Sequence, residues 1–349
     1  MNKAQKLFDP NYIRDYFTEN ILALYPQFLG IKKVKIIPHK KLMWEDVSYH
    51  IVCEYEVSFI EEIDNSIKIK KLAIFCSAHS HERRDNVYEA LHYLWEKGFG
   101  KGYRTIPRPL YYSQNFSAVF YRGVKGNNLY YYIKKHDYKS IEEVSAKAAK
   151  WFVKLHQLDT SDAKNFNSEN SRILTVLPGK VHVLETIKNE EPHYLDLYQK
   201  AYDYFIKYED DFLQNTNKLY LVHGDAHPEN VIKMGAKKIA VIDFTDLCLG
   251  DFARDIGTFL QQISYMASRK INDENYALKL QHIFLDNYLD SAKIKLDDNL
   301  KKRISNYYHF TALRTATFLL MSTHYHPQRA KDLLEELNSS YTDLIKVFK

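Results

Sequence analysis

Seven side chains between residues 223 and 251 are of the types that bind metals and move protons: His223, Asp225, His227, Asn230, Asp243, Asp246 and Asp251. They fall into two groups, and each follows a short apolar run, residues 219–222 and 239–242, that reads as a strand. Strands ending in carboxylates deliver them side by side at the rim of a small sheet. Asp225 and Asn230 stand in the relation D-x-x-x-x-N, and Asp243 opens the pair Asp243-Phe244 at the end of the second run. This is the layout of phosphoryl transfer. One Asp contacts the acceptor hydroxyl, while the Asn and the second Asp hold the magnesium that neutralises nucleotide phosphates. Alone, His-Gly-Asp is a turn, because Gly permits positive φ and Asp caps backbone donors. The specificity lies in the ordered set. A rival reading takes His223, Asp225 and His227 as an H-x-D-x-H ligand set for zinc or iron in a metal hydrolase, but it leaves Asn230 and Asp243-Phe244 without a task.

The elements that must position these residues are marked on both sides. Apolar spacing over 10–24 predicts an amphipathic helix with Tyr12, Ile13, Tyr16, Phe17, Ile21 and Leu24 on one side. Strands are predicted at 34–37, 48–60 and 67–78, the last two joined as a hairpin. The 38–47 connection holds no glycine-rich phosphate loop. Residues 86–97 read as a helix with Val87, Ala90, Leu91 and Leu94 inside, stopped by Gly98, and Glu89 lies off that stripe. A further β pair covers 110–124. Beyond Gly126 the chain becomes helical, most strongly at 141–158, where His156 reads as structural. Residues 161–181 read as loop, and further helices are predicted at 192–213, 251–268, 273–292, 297–322 and 328–347, with Asp251 as an N-cap. The expectation is an α+β chain of two lobes: a β-rich nucleotide-binding lobe with one main helix at 1–122, and a larger, mostly helical catalytic and substrate-binding lobe at 123–349.

The 349 residues suffice for two such lobes. Apolar content of 45% and charged content of 27% are ordinary for a soluble chain. Net charge is +5 with Lys scattered and no arginine-rich arm, which argues against nucleic acid as a partner and suits an anionic ligand. Cys53, Cys76 and Cys248 have no paired spacing and fit a reducing cytoplasm. No leader-like apolar segment or membrane-length run is present in the sequence, so no membrane partner is expected.

The segments HGDAHPEN, IDFTD and GDFARDIG, with the earlier KLHQLD, resemble the aminoglycoside phosphotransferase family, which includes choline-kinase-like members. IPRPLYYS, AVFYRGVKGNNL and YEALHYL extend the resemblance upstream, so that it covers roughly residues 30–265. It implies a bilobal protein-kinase-like fold and an ATP- and Mg²⁺-dependent kinase acting on a hydroxyl of a small molecule such as an amino sugar or amino alcohol. By position, Asp225 would be the catalytic Asp, with His223 bracing its loop and His227 supporting it. Asn230 and Asp243 would bind the metal, and Asp251 and Asp255 would be structural. The segment Phe120, Arg122, Val124 would offer backbone groups to the adenine. One departure concerns the third strand, where the frame A-x-K is replaced by Ala73-Ile74-Phe75. Lys71 shares a face with Ala73 and Phe75 and would either reach Glu89 as the phosphate-binding Lys or stand exposed.

Two alternatives remain at the level of sequence: a non-catalytic nucleotide-binding regulator, and a kinase with a protein hydroxyl as acceptor. Glu190-Glu191 and Glu209-Asp210-Asp211 would either draw in a cationic acceptor or be solvated helix charges. Tyr307-Tyr308-His309-Phe310 and His324-Tyr325-His326 would either line a sugar or nucleoside site or pack in the core.

Overall fold

The computed structural model describes residues 3–45, 47–163, 165–167, 169, 172–321 and 325–348. His324 therefore lies outside the described residues. The chain forms two compact units, Met1–Gly126 with Met234–Thr245, and Asn127–Lys233 with Asp246–Lys349.

In the first unit, helix α1 (Pro10–Asn20) starts at Asp9, whose carboxylate accepts the N–H groups of Asn11 and Tyr12 at 2.9 and 3.2 Å. Strands β1 (Phe28–Met43), β2 (Tyr49–Ile63) and β3 (Ser66–His79) follow, then α2 (Asp85–Leu94), β4 (Arg104–Thr105), β5 (Arg108–Ser113) and β6 (Ala118–Arg122). The antiparallel sheet has the order β1-β2-β3-β6-β5. Strand β1 runs well beyond the expected 34–37, into the stretch read as a connection. It is an edge strand, so Lys40 and Lys41 keep their charges in water while pairing with Val52 and Ile51, and register shifts at 28–30, 31–33 and 38–40 blur its alternation. Alternation in β2 and β3 is clean. It places Ile51, Tyr55, Val57, Leu72, Ile74 and Ala78 on one face, in one core with Ile13 and Phe17 of α1 and Ile21 just after it. Helix α2 packs on β5 and β6 through its buried Val87, Ala90, Leu91 and Leu94.

The second unit opens with β7 (Asn127–Asn128) and α3 (Leu129–Lys135), then α4 (Tyr138–His156), α5 (Lys180–Glu190), α6 (Leu195–Asn215), β8 (Tyr220–Val222) and β9 (Val231–Lys233). The chain returns to the first unit for β10 (Ile239–Val241), which pairs parallel with β4. It ends in the second unit with β11 (Cys248–Gly250), α7 (Ala253–Ile271), α8 (Glu274–Ala292), α9 (Asp298–Met321) and α10 (Pro327–Ser340). Helix α10 stops at Ser340, short of the expected 347. Helices α7 and α9 run side by side in the same direction. Thr258 Oγ1 meets Thr311 Oγ1 at 3.0 Å, and one turn on, Gln262 donates to Thr315 Oγ1 at 2.8 Å. Gly257 permits the approach, since a Cβ there would lie 2.6 Å from the Ile304 carbonyl oxygen. Tyr307 and Phe310 are 3% exposed and His309 6%, so this aromatic run packs in the core.

Glu209 on α6 is 4% exposed and accepts the Ile173 N–H at 2.7 Å and the Tyr307 hydroxyl at 3.0 Å. Burial raises its carboxyl from the ordinary 4.5 to about 7, against the pull of these donors and of Arg254. A carboxyl raised on folding favours the protonated folded state. Its contribution is full below about pH 4.5 and is lost as pH rises toward 7, a difference of about 3 kcal/mol. Urea denaturation across that window should therefore show a fall in stability that Glu209→Gln flattens.

Candidate active site

Strand β8 pairs antiparallel with β11, Val222 opposite Cys248, and releases the chain into the loop His223–Glu229. Gly224 sits at φ +82, and a Cβ on it would fall 2.8 Å from that of Asp246, so the His-Gly-Asp sequence needs its glycine for both backbone angle and space. The loop backbone is gripped by one carboxylate. Asp255, fully buried near the start of α7, accepts the His223 N–H at 2.7 Å on Oδ2 and the Gly224 N–H at 3.0 Å on Oδ1. His156 Nε2 reaches the same Oδ2 at 2.9 Å, and its Nδ1 meets the Tyr288 hydroxyl at 2.7 Å. Burial works to raise the Asp255 carboxyl, but the donors from His156 and His223 outweigh it and hold it below its ordinary value. Arg254 donates to the Gly224 carbonyl at 3.0 Å, so the Gly224 residue is held through both its N–H and its C=O. Asp251 takes Arg303 at 2.7 Å and the Ala253 N–H at 3.0 Å.

The side chains of the loop divide by direction. His223 is fully buried, lies edge-on to Trp151 and Phe152 at 6.3 and 6.2 Å, and accepts the Asp225 N–H on Nδ1 at 3.3 Å. It braces the loop from inside. His227 accepts the Glu229 N–H on Nδ1 and offers Nε2 to Asp225 Oδ2 at 3.2 Å. Asn230 donates its amide to the Asp225 carbonyl at 3.0 Å and approaches Oδ2 at 3.4 Å. Both neighbours favour Oδ2, which leaves Oδ1 for a ligand. Asp225 is 41% exposed on its side chain. Desolvation opposes its ionisation, but His227 first, then His223 and Arg314, hold the carboxyl well below the usual range, so it is a carboxylate at any physiological pH. The H-x-D-x-H metal set does not assemble, because the ring of His223 faces the core while His227 turns to Asp225.

Asp225 opens onto a cavity of about 920 Å³ within the second unit, a volume suited to a small molecule. Its walls come from α3, α7, α9 and the start of α10, with Tyr130, Thr258, Gln262, Tyr265 and Thr311 among them. The acids Glu190, Glu191 and Glu209–Asp211 do not line it. Glu209 is buried, Asp210 pairs with Arg172, and Glu191 accepts the Tyr325 hydroxyl at 3.0 Å.

In the first unit, Asp243 follows β10 with φ +65, exposes its side chain and accepts the Thr245 hydroxyl at 2.8 Å. Asn86, at the start of α2, donates to the Thr245 carbonyl at 3.3 Å.

A model of the phosphotransferase enzyme family matches residues 72–292, more than half of the chain. The chain belongs to this family. A search of curated proteins returns no match. Among solved structures, a spectinomycin phosphotransferase in complex with ADP and spectinomycin is similar at 10% identity and TM-score 0.54, with 96% of each chain covered. A choline kinase from Streptococcus pneumoniae is similar at 11% identity and TM-score 0.54, covering 95% of this chain and 99% of the other. An amicoumacin kinase bound to AMP-PNP and Ca²⁺ is similar at 14% identity and TM-score 0.53, with 93% and 94% covered. The resemblance carried by HGDAHPEN and IDFTD thus holds, and the phosphotransferase has the expected protein-kinase-like fold. Among the described residues, no helix is long and apolar enough to cross a membrane.

The expected Lys71–Glu89 pair of this phosphotransferase is not formed. Lys71 Nζ bonds Glu56 Oε1 at 3.0 Å across the β2–β3 pair, and its side chain is 59% exposed. Glu89 is exposed on α2. Phe75 holds the strand position instead, stacked between His39 at 5.7 Å and Tyr121 at 5.9 Å. The Phe120 side chain is fully buried in the α1-side core, which leaves only its backbone available to a nucleotide. The buried cation of this unit is Arg84, immediately before α2, 6% exposed, with Nη2 on Glu82 at 2.8 Å and Nε without a partner. The Tyr121 hydroxyl is raised by burial and further by Asp243, and Arg84 pulls it back, so both charges act on the same group. The sequence gives no sign of Arg84, because an arginine next to Arg83 ahead of a helix reads as solvated.

Removing the Asp255 carboxylate leaves His156 and two loop N–H groups unmet in a dry site. Asp255→Ala should cost about 3–5 kcal/mol in denaturation, and hydrogen exchange at the 223 and 224 amides should rise first.

Proposed function

We propose that this phosphotransferase moves the γ-phosphoryl group of ATP to a hydroxyl of a small molecule. The observation that carries the reading is the ionised Asp225, fixed on a loop held from two sides and open to a cavity of small-molecule size. The acceptor oxygen bonds to the γ-phosphorus as the bond from phosphorus to the bridging oxygen breaks. ADP leaves with that oxygen and its electron pair, and the hydroxyl proton passes late to Asp225. A carboxylate so far below its ordinary value is a poor base before bond formation, so its first task is to orient the hydroxyl through Oδ1. This suits a loose transition state that depends on positioning.

Asn230 and Asp243 are the proposed magnesium ligands. An amide and a carboxylate oxygen are the hard donors this ion takes, and the Asn230 amide nitrogen is already engaged by Asp225, which leaves its oxygen for the metal. Magnesium bound there supplies neutralisation of phosphate charge. The backbone of Phe120, Arg122 and Val124 is proposed for the adenine. For the phosphates we assign Arg84 in place of Lys71, because it is buried, is not fully paired and acts on the same hydroxyl as Asp243. The reading assigns the protein to the cytoplasm, where ATP is available and its three buried thiols stay reduced. A second reading, nucleotide binding without turnover, is favoured by Phe75 in the place of a lysine.

Release of ADP, coupled to a fluorescent readout over a hydroxyl panel, separates the two. Stabilisation by Mg-ATP with no turnover of any acceptor would support the regulator. For the kinase, Asp225→Ala should lower turnover about 10³-fold or more while Mg-ATP still raises the melting temperature, and Asp243→Ala should lose both. Wild-type rates from Asp225→Ala would refute the assignment. On the nucleotide side, Arg84→Gln should raise the KM for ATP about tenfold, a loss of about 1.4 kcal/mol, while Lys71→Ala stays within about twofold.

A further inference from the structure

The charge of the acceptor cavity differs from what an amino-sugar or amino-alcohol site calls for. Its lining carries three guanidinium groups, Arg269, Arg314 and Arg329, against two carboxylates, Asp225 and Glu229. Asp225 is already met by His227 and is committed to the hydroxyl. Among the described residues, none of the three arginines forms an ion pair with a carboxylate. Arg269 donates to the Tyr130 hydroxyl at 2.7 Å, and its guanidinium lies 5.5 Å from the Tyr265 ring centroid. Arg314 donates to the Leu177 carbonyl at 3.2 Å. Elsewhere in the same unit, Arg172 and Arg303 are paired with Asp210 and Asp251. The acids that might have drawn in a cation face away from the cavity or are buried.

The cations are also arranged along a direction. The rungs Thr258–Thr311 and Gln262–Thr315 put α7 and α9 in register, so Arg314 stands level with Gln262. Arg314 is at the reaction end, where Asp225 counters the burial and the Arg254 charge that lower its pKa. Arg269 lies seven residues further along α7, about 10 Å at the rise of an α-helix. The His326 N–H meets the Leu319 carbonyl at 2.8 Å, which sets the start of α10, and with it Arg329, beside the last turn of α9. Arg269 and Arg329 are both exposed, so an incoming charge can meet them.

We propose that the acceptor is a hydroxyl compound bearing an anionic group, a carboxylate or a phosphate ester, held by Arg269 and Arg329 while its hydroxyl meets Asp225. The proposal rests on the phosphotransferase reading for the place of the hydroxyl. Tyr130, Tyr265 and Phe318 also line the cavity and add apolar surface that a sugar or ring could use.

The test uses the full chain with Mg-ADP and four matched disaccharides, neutral, amino, uronic-acid and phosphate forms, with affinity measured by calorimetry. An anionic form should bind about tenfold or more tighter than the neutral one, and the amino form no better than neutral. The uronic-acid and phosphate arms separate the two anionic groups. The Arg269→Gln/Arg329→Gln double variant should bring the anionic form down to the neutral affinity, and the Arg→Lys pair should recover most of the difference. Tightest binding of the amino form, a preference that survives the double variant, or no binding of either anion would overturn the proposal. Mg-ATP stabilisation and ADP release by the wild type report separately on the phosphotransferase reading. That reading can therefore fail while anion binding stands, or stand while anion binding fails.

Discussion

The carboxylate of Asp255 is the constraint on which the site depends. Two N–H groups of the catalytic loop and one imidazole converge on it in a fully dry environment, where an unmet donor costs far more than in water. Gly224 is the corollary. A loop pulled this close to Asp246 leaves no room for a side chain, and the positive φ that results is one that glycine adopts without strain. Asp225 can then be both partly exposed and fixed, because its anchoring lies behind it, in backbone bonds, rather than in its own carboxylate.

The charges of the second unit follow a division of labour. Arg254 and Arg303 are spent on structure, one on the Gly224 carbonyl and the other on Asp251. Burial pushes the Glu209 carboxyl up to about 7, which weakens its charge near neutral pH. What remains around the cavity is an excess of guanidinium, which the protein does not neutralise with acids of its own. In the first unit an aromatic stack lies on the sheet, Arg84 is buried and the strand lysine Lys71 is exposed.

The loop His223–Glu229 was legible in the sequence because a phosphotransferase site would tolerate few residue types at few spacings. Strands β8 and β10 do precede His223 and Asp243, as that spacing required. Helix periodicity located α4, α7, α8 and α9 because long amphipathic stripes are unambiguous. Strand β1 was underestimated because an edge strand with three register shifts shows no alternation. Between the two alternatives for Lys71 the sequence could not choose: strand phase gives the face of a residue but not its partner, and the structure pairs the exposed Lys71 with Glu56 on the neighbouring strand. The acceptor cavity was invisible, because the same 3.6-residue stripe describes a helix that faces a core and a helix that faces a cavity. Arg84 was hidden likewise, since burial of a charge at a helix start is decided by tertiary packing.

Helix α7 carries both the Asp255 anchor in its first turn and the cavity wall in its later turns. Each residue of an α-helix turns the next by about 100°. A single insertion or deletion between Asp255 and Thr258 would swing the wall residues of α7 off the cavity while leaving the loop anchored. Substitutions along that one helix face can reshape the cavity without touching the loop, whereas a change in helix length between the two cannot leave both in place.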